Sequence, residues 1–151
     1  MGMGLRVGYN GVHIAFCAGT GILVFLDLVS TLLIKAAFEQ VGKPLPEGLV
    51  DRFGPEFRLH LYVSFKNQQE SIGLDICERL NKMSPNFQLT VRFGDKLRWG
   101  KDFLNTQLNQ TEGKVKKIWV CGPPSMNQAF DRGFELIYEK RKMWKNAITI
   151  L

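Results

Sequence analysis

The apolar residues of this chain repeat with two alternating periods, which predict strands and helices in turn. Strict alternation indicates β-strands and is clearest where Leu59, Leu61, Val63 and Phe65 share one face. Apolar repeats of three to four residues indicate amphipathic helices between the strands. The pattern predicts five strands, at 13–17, 58–65, 87–93, 117–121 and 147–151. It predicts four helices, at 22–38, 71–83, 101–109 and 125–138.

Strands that alternate with helices are typical of parallel sheets covered on both faces. We therefore expect an α/β fold with three αβα layers, a mostly parallel five-stranded sheet and a Rossmann-like arrangement. The 151 residues are close to the commonest length of one domain, and 45% of them are hydrophobic. Residues 1–151 are accordingly predicted to form a single domain.

One apolar stretch, 14–34, carries a single charge at Asp27 and is long enough to resemble a membrane span. The glycine-containing turn at 19–21 divides it into a short strand and a helix. Asp27, Thr31 and Lys35 recur every four residues and indicate one polar stripe. We predict a core helix here and no membrane-spanning segment.

The net charge of +6 suits an anionic ligand, and it would also suit nucleic acid or an acidic protein. The basic runs at 114–117 and 140–145 are interpreted as solvated surface, and no nucleic-acid fold signature accompanies them. We therefore expect no nucleic-acid partner.

Cysteine and histidine usage argues against several kinds of site. Three cysteines, without a CxxC or a Cys/His cluster, argue against a disulfide scaffold and a metal site and favour a reducing compartment. His13 and His60 lie in or beside strands without a nucleophile or carboxylate motif, and both are interpreted as structural.

Two glycine-rich turns, roughly a hundred residues apart, each follow a predicted strand and open a predicted helix. They are Cys17-Ala18-Gly19-Thr20-Gly21 and Cys121-Gly122-Pro123-Pro124. Such a corner directs free N–H groups and the positive end of a helix at one point, which suits a phosphate. Two corners at the carboxyl ends of parallel strands would flank a crevice for a dinucleotide.

The individual residues of the corners have specific expected roles. Gly19 and Gly21 would let phosphates approach the backbone. Thr20 would bond a pyrophosphate oxygen or, alternatively, cap the following helix. Ser125, with Gln128 three residues later, fits a capping box.

Together the two turns resemble the nicotinamide-binding half of the ferredoxin–NADP reductase superfamily, which includes cytochrome b5 reductases, ferric reductases and NADPH oxidases. The family pattern Gly-Gly-Thr-Gly-Ile-x-Pro corresponds to Ala18 through Val24, and Cys-Gly-Pro-Pro-x-Met corresponds to Cys121 through Met126. The resemblance extends over nearly the whole chain. Ala18 replaces a glycine of the pattern, and Val24 replaces its proline.

The resemblance implies a site for NADPH or NADH, with Cys121 as the catalytic position beside the reactive carbon of the nicotinamide. A buried core thiol is the alternative for Cys121. The segment 65–70 resembles the Phe-x-Asn-Gln-x-Glu of cytochrome b5 reductases, at the adenosine ribose. Lys66 and Arg98 favour NADPH there, unless both are solvated surface residues. The implied nucleotide-binding residues are Ala18, Gly19, Thr20, Gly21, Ser64, Lys66, Asn67, Arg98, Gly122, Pro123, Pro124 and Met126.

The hydride acceptor of the family is a flavin, whose binding motif this sequence lacks. The resemblance therefore implies FAD held by another domain, upstream in the same parent chain or in a separate subunit. It implies a location on the cytoplasmic side and leaves open a membrane-bound parent and the final electron acceptor. The alternative is a non-catalytic binding or assembly module with a decayed nucleotide site, which Ala18 and Val24 favour.

Overall fold

The computed structural model describes residues 5, 7–49, 52–94, 115–141 and 148–151. Its strands are β1 (Gly11–Ala18), β2 (Phe57–Phe65), β3 (Phe87–Phe93), β4 (Val115–Cys121) and β5 (Ile148–Ile150). Its α-helices are α1 (Leu23–Gln40), α2 (Leu74–Met83) and α3 (Pro124–Arg141), and 3-10 turns form at Gly19–Ile22 and Gln68–Glu70. The predicted helix at 101–109 and the predicted site residue Arg98 lie outside the described residues.

The strands form one sheet in the order β3-β2-β1-β4-β5, and each described pairing is parallel. The chain builds outward from β1 on one side and then crosses to β4 on the other side. The connections therefore reverse direction between β1 and β4, which is the position where ligands bind in open α/β sheets. The predicted parallel, Rossmann-like sheet is confirmed.

Successive residues of β1 face opposite layers, as the pleat of a strand requires. Ala15 and Cys17 belong to the core beneath α1 and α2. Ile14 and Phe16 belong to a second core on the opposite face, which α3 covers with Phe130 and Phe134. The two cores confirm the three-layer prediction.

The alternating residues predicted on one face of β2 are among the most buried in the protein. Leu59, Leu61, Val63 and Phe65 are each at most 1% exposed and join the α1/α2 core. Burying a side chain of this size stabilises a fold by about 1.5–3 kcal/mol. This one strand therefore contributes much of the cohesion between the sheet and the helices above it.

The predicted polar stripe of α1 is wrong at Thr31. Its side chain is buried, and its hydroxyl donates to the Asp27 carbonyl oxygen at 2.8 Å, so the helix itself satisfies the polar group. Three exposed positions of α1 instead carry the apolar side chains Leu23, Val24 and Ile34. The four-residue spacing of polar residues in the sequence did not by itself locate the solvent-exposed face of α1.

Within the described residues, the segment Gly19–Gln40 is long and apolar enough to cross a membrane, with a mean hydropathy of 2.0. In this fold Phe25, Leu28 and Val29 pack into the core between α1 and the sheet. A core helix of a soluble protein meets the same criterion of length and composition.

The second helix begins later than the predicted residue 71. The Ser71 hydroxyl donates to the Gln68 carbonyl oxygen at 2.6 Å and closes the preceding 3-10 turn. Gly73 then takes φ +72°, in the left-handed region, before α2 starts at Leu74. Local turn chemistry therefore displaces the start of the helix.

The interpretation of His13 as structural agrees with its contacts. The ring is fully buried, with centroids 4.5 Å from Phe57 and 5.7 Å from Trp119. The Gly8 N–H donates to Nε2 at 2.9 Å, so Nδ1 carries the proton and donates to the Gly11 carbonyl oxygen at 3.1 Å. Burial lowers the pKa of His13, because a charged imidazole would be poorly solvated there.

We expect the free energy of unfolding to decrease as the pH falls from about 6.5 towards 4. Burial also lowers the pKa of His60, to about 4, where the ring contacts the Thr90 hydroxyl at 2.9 Å. Because both folded-state pKa values lie below the unfolded value of about 6.5, the unfolded chain takes up protons first. The histidine-linked stability is complete above that pH and is lost as the pH falls towards the folded-state values.

Urea unfolding of the wild type and of His60→Gln between about pH 7 and 4 measures this effect. Glutamine can still bond the Thr90 hydroxyl but cannot titrate. The free energy of unfolding of His60→Gln should change less steeply with pH than that of the wild type. The difference in slope is at most the uptake of one proton, about 1.4 kcal/mol per pH unit. Equal slopes in the two proteins would contradict the expectation.

Candidate functional site

The first corner turns the end of β1 into α1 through the 3-10 turn Gly19–Ile22. Gly19 has φ +54°, which favours glycine, and a Cβ built there would meet nothing within 4 Å. Neither the 3-10 turn nor α1 has an acidic residue in its first turn. The positive end of the helix therefore faces open space without a competing carboxylate, which suits an anion.

Thr20 is exposed at this corner and does not cap a helix. Ala18 precedes the 3-10 turn, Ile22 precedes α1, and neither position has a side-chain capping hydrogen bond. The capping alternative for Thr20 is therefore wrong. The phosphate contact of its hydroxyl stays a prediction, and the residue is exposed at this corner.

The second corner has few free N–H donors. The Gly122 N–H donates to Asn127 Oδ1 at 3.1 Å, and Pro123 and Pro124 have no N–H. The N–H groups of Met126 and Asn127 both donate to the Pro123 carbonyl oxygen, at 2.9 and 3.1 Å. The expectation that both corners present a set of free donors is therefore wrong for this one.

The predicted capping box at Ser125 is also wrong. α3 begins at Pro124, one residue earlier, so Ser125 lies inside the first turn. Proline is favoured at the first helical position because its fixed φ suits a helix and no N–H is needed there. The helix again has no acidic residue in its first turn.

The two corners are in direct contact. Cys17 and Cys121 are register partners on β1 and β4. A Cβ built on Gly21 would overlap the Cys121 carbonyl oxygen and lie 3.4 Å from its Sγ. Gly21 is thus required for packing between the corners, whereas the open space predicted for a phosphate lies at Gly19.

All three cysteines meet on one face of the sheet, near the carboxyl ends of β1 and β4. Cys17 and Cys77 are buried, and Cys121 is half-buried. Burial raises the pKa of each thiol, that of Cys77 to about 12, and the neighbouring Cys77 and Cys121 further raise the pKa of Cys17. Thiols in this state are poor nucleophiles, so Cys121 offers a neutral, polarizable surface.

The end of β2 contributes a third set of predicted residues to the same edge. Ser64 is the register partner of Ala18. Lys66 is exposed, and Asn67 Oδ1 accepts a hydrogen bond from the Glu70 N–H at 3.0 Å. The structure therefore brings Ser64 to the first corner, while the side chain of Asn67 is engaged in a local turn.

Met126, one of the implied nucleotide-binding residues, has a packing role in this structure. Its side chain belongs to the core beneath α3, and a Cβ built on Gly122 would lie 2.5 Å from its Sδ. A side chain at position 122 would therefore require the flexible Met126 side chain to shift. The sequence analysis missed Asn127. The available signal was an asparagine in the first turn of a helix after Gly-Pro-Pro, from which its side chain can bond back to the corner.

Within the described residues, no group of three or more His, Cys, Asp or Glu side chains could hold a metal ion.

Replacing Gly21 with alanine should destabilise the protein by about 1–3 kcal/mol or more, the usual cost of overpacking. The added methyl group would collide with backbone, which cannot rotate away as a side chain can. Urea unfolding measures the change. A Gly21→Ala variant as stable as the wild type would contradict the contact between the corners.

Comparison with known proteins gives matches of structure only. No protein-family model matches the chain, and no curated protein matches it. The CS-b5R domains of human Ncb5or in the NAD+ form superpose with a TM-score of 0.64 at 14% identity, over 94% of this chain and 37% of that one. Ferredoxin-NADP+ reductase from Plasmodium falciparum with 2'P-AMP gives a TM-score of 0.59 at 18% identity, over 94% and 52%. Flavohemoglobin from Malassezia yamatoensis with bound FAD and heme gives 0.62 at 14% identity, over 97% and 33%.

These likenesses confirm the predicted fold, a parallel α/β sheet of the kind found in these three structures. The chain spans between 33% and 52% of the length of the three structures. The three structures are an NAD+ form, a complex with 2'P-AMP and a protein with bound FAD and heme. NAD+, 2'P-AMP and FAD belong to the same chemical classes as the ligands expected here.

Proposed function

We propose that this chain is the nicotinamide-dinucleotide-binding domain of a flavin-dependent reductase. It would position NADPH or NADH for hydride transfer to FAD held by another domain. The observation that carries the proposal is the first corner, because Gly19 opens a helix N-terminus to solvent at the β1/β4 reversal of the sheet.

The two corners would hold different parts of the dinucleotide. The first corner combines the left-handed Gly19, the exposed Thr20 hydroxyl and a helix start without carboxylates, and it would take the pyrophosphate. The second corner has few free donors, so it would serve as the wall against which the nicotinamide ring lies. The close approach of Gly21 to the Cys121 main chain supports this arrangement, because the two corners are adjacent.

Cys121 would act at this wall without transferring a proton. Because burial raises the pKa of its thiol, the side chain stays neutral near neutral pH. A small neutral Sγ can contact the ring and restrict its position without competing for the hydride. FAD, when bound by the partner domain, would supply the hydride acceptor.

NADPH is the favoured nucleotide in this proposal. Lys66 is exposed after the end of β2, whose Ser64 lies beside the first corner, and a cation there can pair with a 2′-phosphate. A similar fold is known with 2'P-AMP, in the Plasmodium reductase.

The flavin-binding domain would dock on the carboxyl edge of the sheet, in the same parent chain or as a separate subunit. Large exposed apolar side chains surround that edge, and such patches are typical of contact surfaces. They are Leu23, Val24, Ile72 and Phe93, each exposed by 41–50%. The proposal further includes a location on the cytoplasmic side, no nucleic-acid partner and no membrane span within this domain. The parent's membrane attachment and its final electron acceptor are left open.

Two observations favour the second candidate, a binding or assembly module whose nucleotide site has decayed. Where the family pattern has proline, Val24 is exposed, and the second corner has given up its Gly122 N–H to Asn127. The open first corner favours the first candidate, and nucleotide binding distinguishes the two.

Saturating NADPH should raise the melting temperature of the isolated chain. A hundredfold excess of ligand over Kd stabilises a folded protein by about 2.7 kcal/mol. Gly19→Asn should abolish this shift, because asparagine tolerates a positive φ while its side chain enters the proposed phosphate space. The matched control is Gly42→Asn, with φ +66° and equally open surroundings at the far end of α1. No shift with NADPH or NADH in the wild type would favour the decayed module.

In the chain joined to its flavin domain, Cys121→Ser should slow flavin reduction more than it weakens nucleotide binding. The phosphates supply most of the affinity, whereas a contact with the ring matters mainly at the reacting geometry. A misplacement of about 1 Å can cost about a hundredfold in rate. Stopped-flow flavin reduction at saturating nucleotide measures the effect, and an unchanged rate would remove Cys121 from the hydride path.

A further inference from the structure

We infer that Asn127 is a positioning residue that fixes the main chain on both sides of Cys121. The catalytic meaning of this inference rests on the proposed function, because only there does Cys121 contact the nicotinamide ring. The geometry of the contact and its first test do not depend on nucleotide binding.

The Asn127 side chain is half-buried and bridges two segments distant in sequence. Its Oδ1 accepts from the Gly122 N–H, and its Nδ2 donates to the Leu151 main-chain oxygen, both at 3.1 Å. The Leu151 N–H in turn donates to the Val120 carbonyl oxygen at 2.8 Å. Three hydrogen bonds therefore close a ring that includes the residues before and after Cys121.

This ring supports the chain where the sheet stops supporting it. On the β5 side, the pairing of β4 ends with Val120 and Ile150. On the β1 side, it ends with Cys17 and Cys121. Gly122 lies beyond both ladders, so the Asn127 amide takes the place of the next strand partner.

Asparagine suits this position because the two partners need opposite chemistry. Gly122 offers a donor and Leu151 an acceptor, so the amide has one orientation that satisfies both. Aspartate would keep the acceptor for Gly122 and lose the donor for Leu151. Alanine would lose both bonds and leave the Gly122 N–H without its partner.

The first test measures alkylation of the native 151-residue chain by iodoacetamide. Cys17 and Cys77 are buried, so Cys121 is the accessible thiol. We expect Asn127→Ala to increase the Cys121 alkylation rate by about tenfold, because the corner opens more often without the two bonds. Asn127→Asp should give a smaller increase, since it retains the bond to Gly122. Gln128→Ala, on the exposed neighbouring position of the same helix, should leave the rate unchanged.

A purely global effect would raise alkylation only in proportion to the unfolding constant, which urea titration of each variant supplies. An Asn127→Ala rate within about twofold of the wild type after that correction would overturn the inference. Equal rates in the alanine and aspartate variants would overturn the role of the Gly122 bond.

Amide exchange in the wild-type protein gives a test that needs no variant. After correction for intrinsic rates, the Gly122 N–H should exchange more slowly than the Ser125 N–H. Ser125 lies in the first turn of α3, where N–H groups have no acceptor within the helix. Equal protection of the two amides would overturn the inference.

A final measurement separates this inference from the proposed function. Saturating NADPH should protect Cys121 from alkylation in the wild type, and less so in Asn127→Ala at equal nucleotide occupancy. Equal protection of the two proteins would overturn the positioning role. Absence of protection in the wild type would count against the proposed function, while the nucleotide-free rates would still decide the role of Asn127.

Discussion

The close approach of Gly21 to the Cys121 main chain is the constraint on which the site depends. Parallel pairing places Cys17 and Cys121 at the same height on neighbouring strands, so the turns that follow must leave the sheet side by side. They can do so only because Gly21 has no side chain. The surface between the two corners is therefore formed by main-chain atoms. Packing fixes the distance between the start of α1 and the Cys121 thiol.

The two corners differ in how their N–H groups are already bonded within the domain. At the second corner, the Gly122 N–H donates to the Asn127 side chain. The next N–H groups in α3 donate to the Pro123 carbonyl oxygen. At the first corner, the Leu23 N–H at the start of α1 donates to the Thr20 carbonyl oxygen of the 3-10 turn, and the nearby Gly19 faces open space. The two corners therefore differ in chemistry, because open space lies beside Gly19 at the first and the Gly122 N–H is already bonded at the second.

Patterns of side chains predicted the parts of the fold that depend on side-chain burial. The alternation in β2 succeeded because Leu59, Leu61, Val63 and Phe65 all enter one core. Failures occurred where a polar group finds a local or distant partner that spacing does not reveal. Thr31 bonds within its own helix, and Ser71 closes a turn before α2 begins. The sequence likewise could not distinguish the two glycines of the first corner. Gly19 borders open space, whereas Gly21 packs directly against the main chain of the neighbouring strand.

The two ends of the sheet differ in the same physical respect. Near the start of β1, the buried His13 uses both ring nitrogens in hydrogen bonds. At the carboxyl end, an open helix start and exposed apolar side chains such as Leu23 and Ile72 remain uncovered. The two ends therefore differ in what they leave to solvent, because the histidine end buries its polar ring and the carboxyl end exposes apolar side chains beside an open helix start.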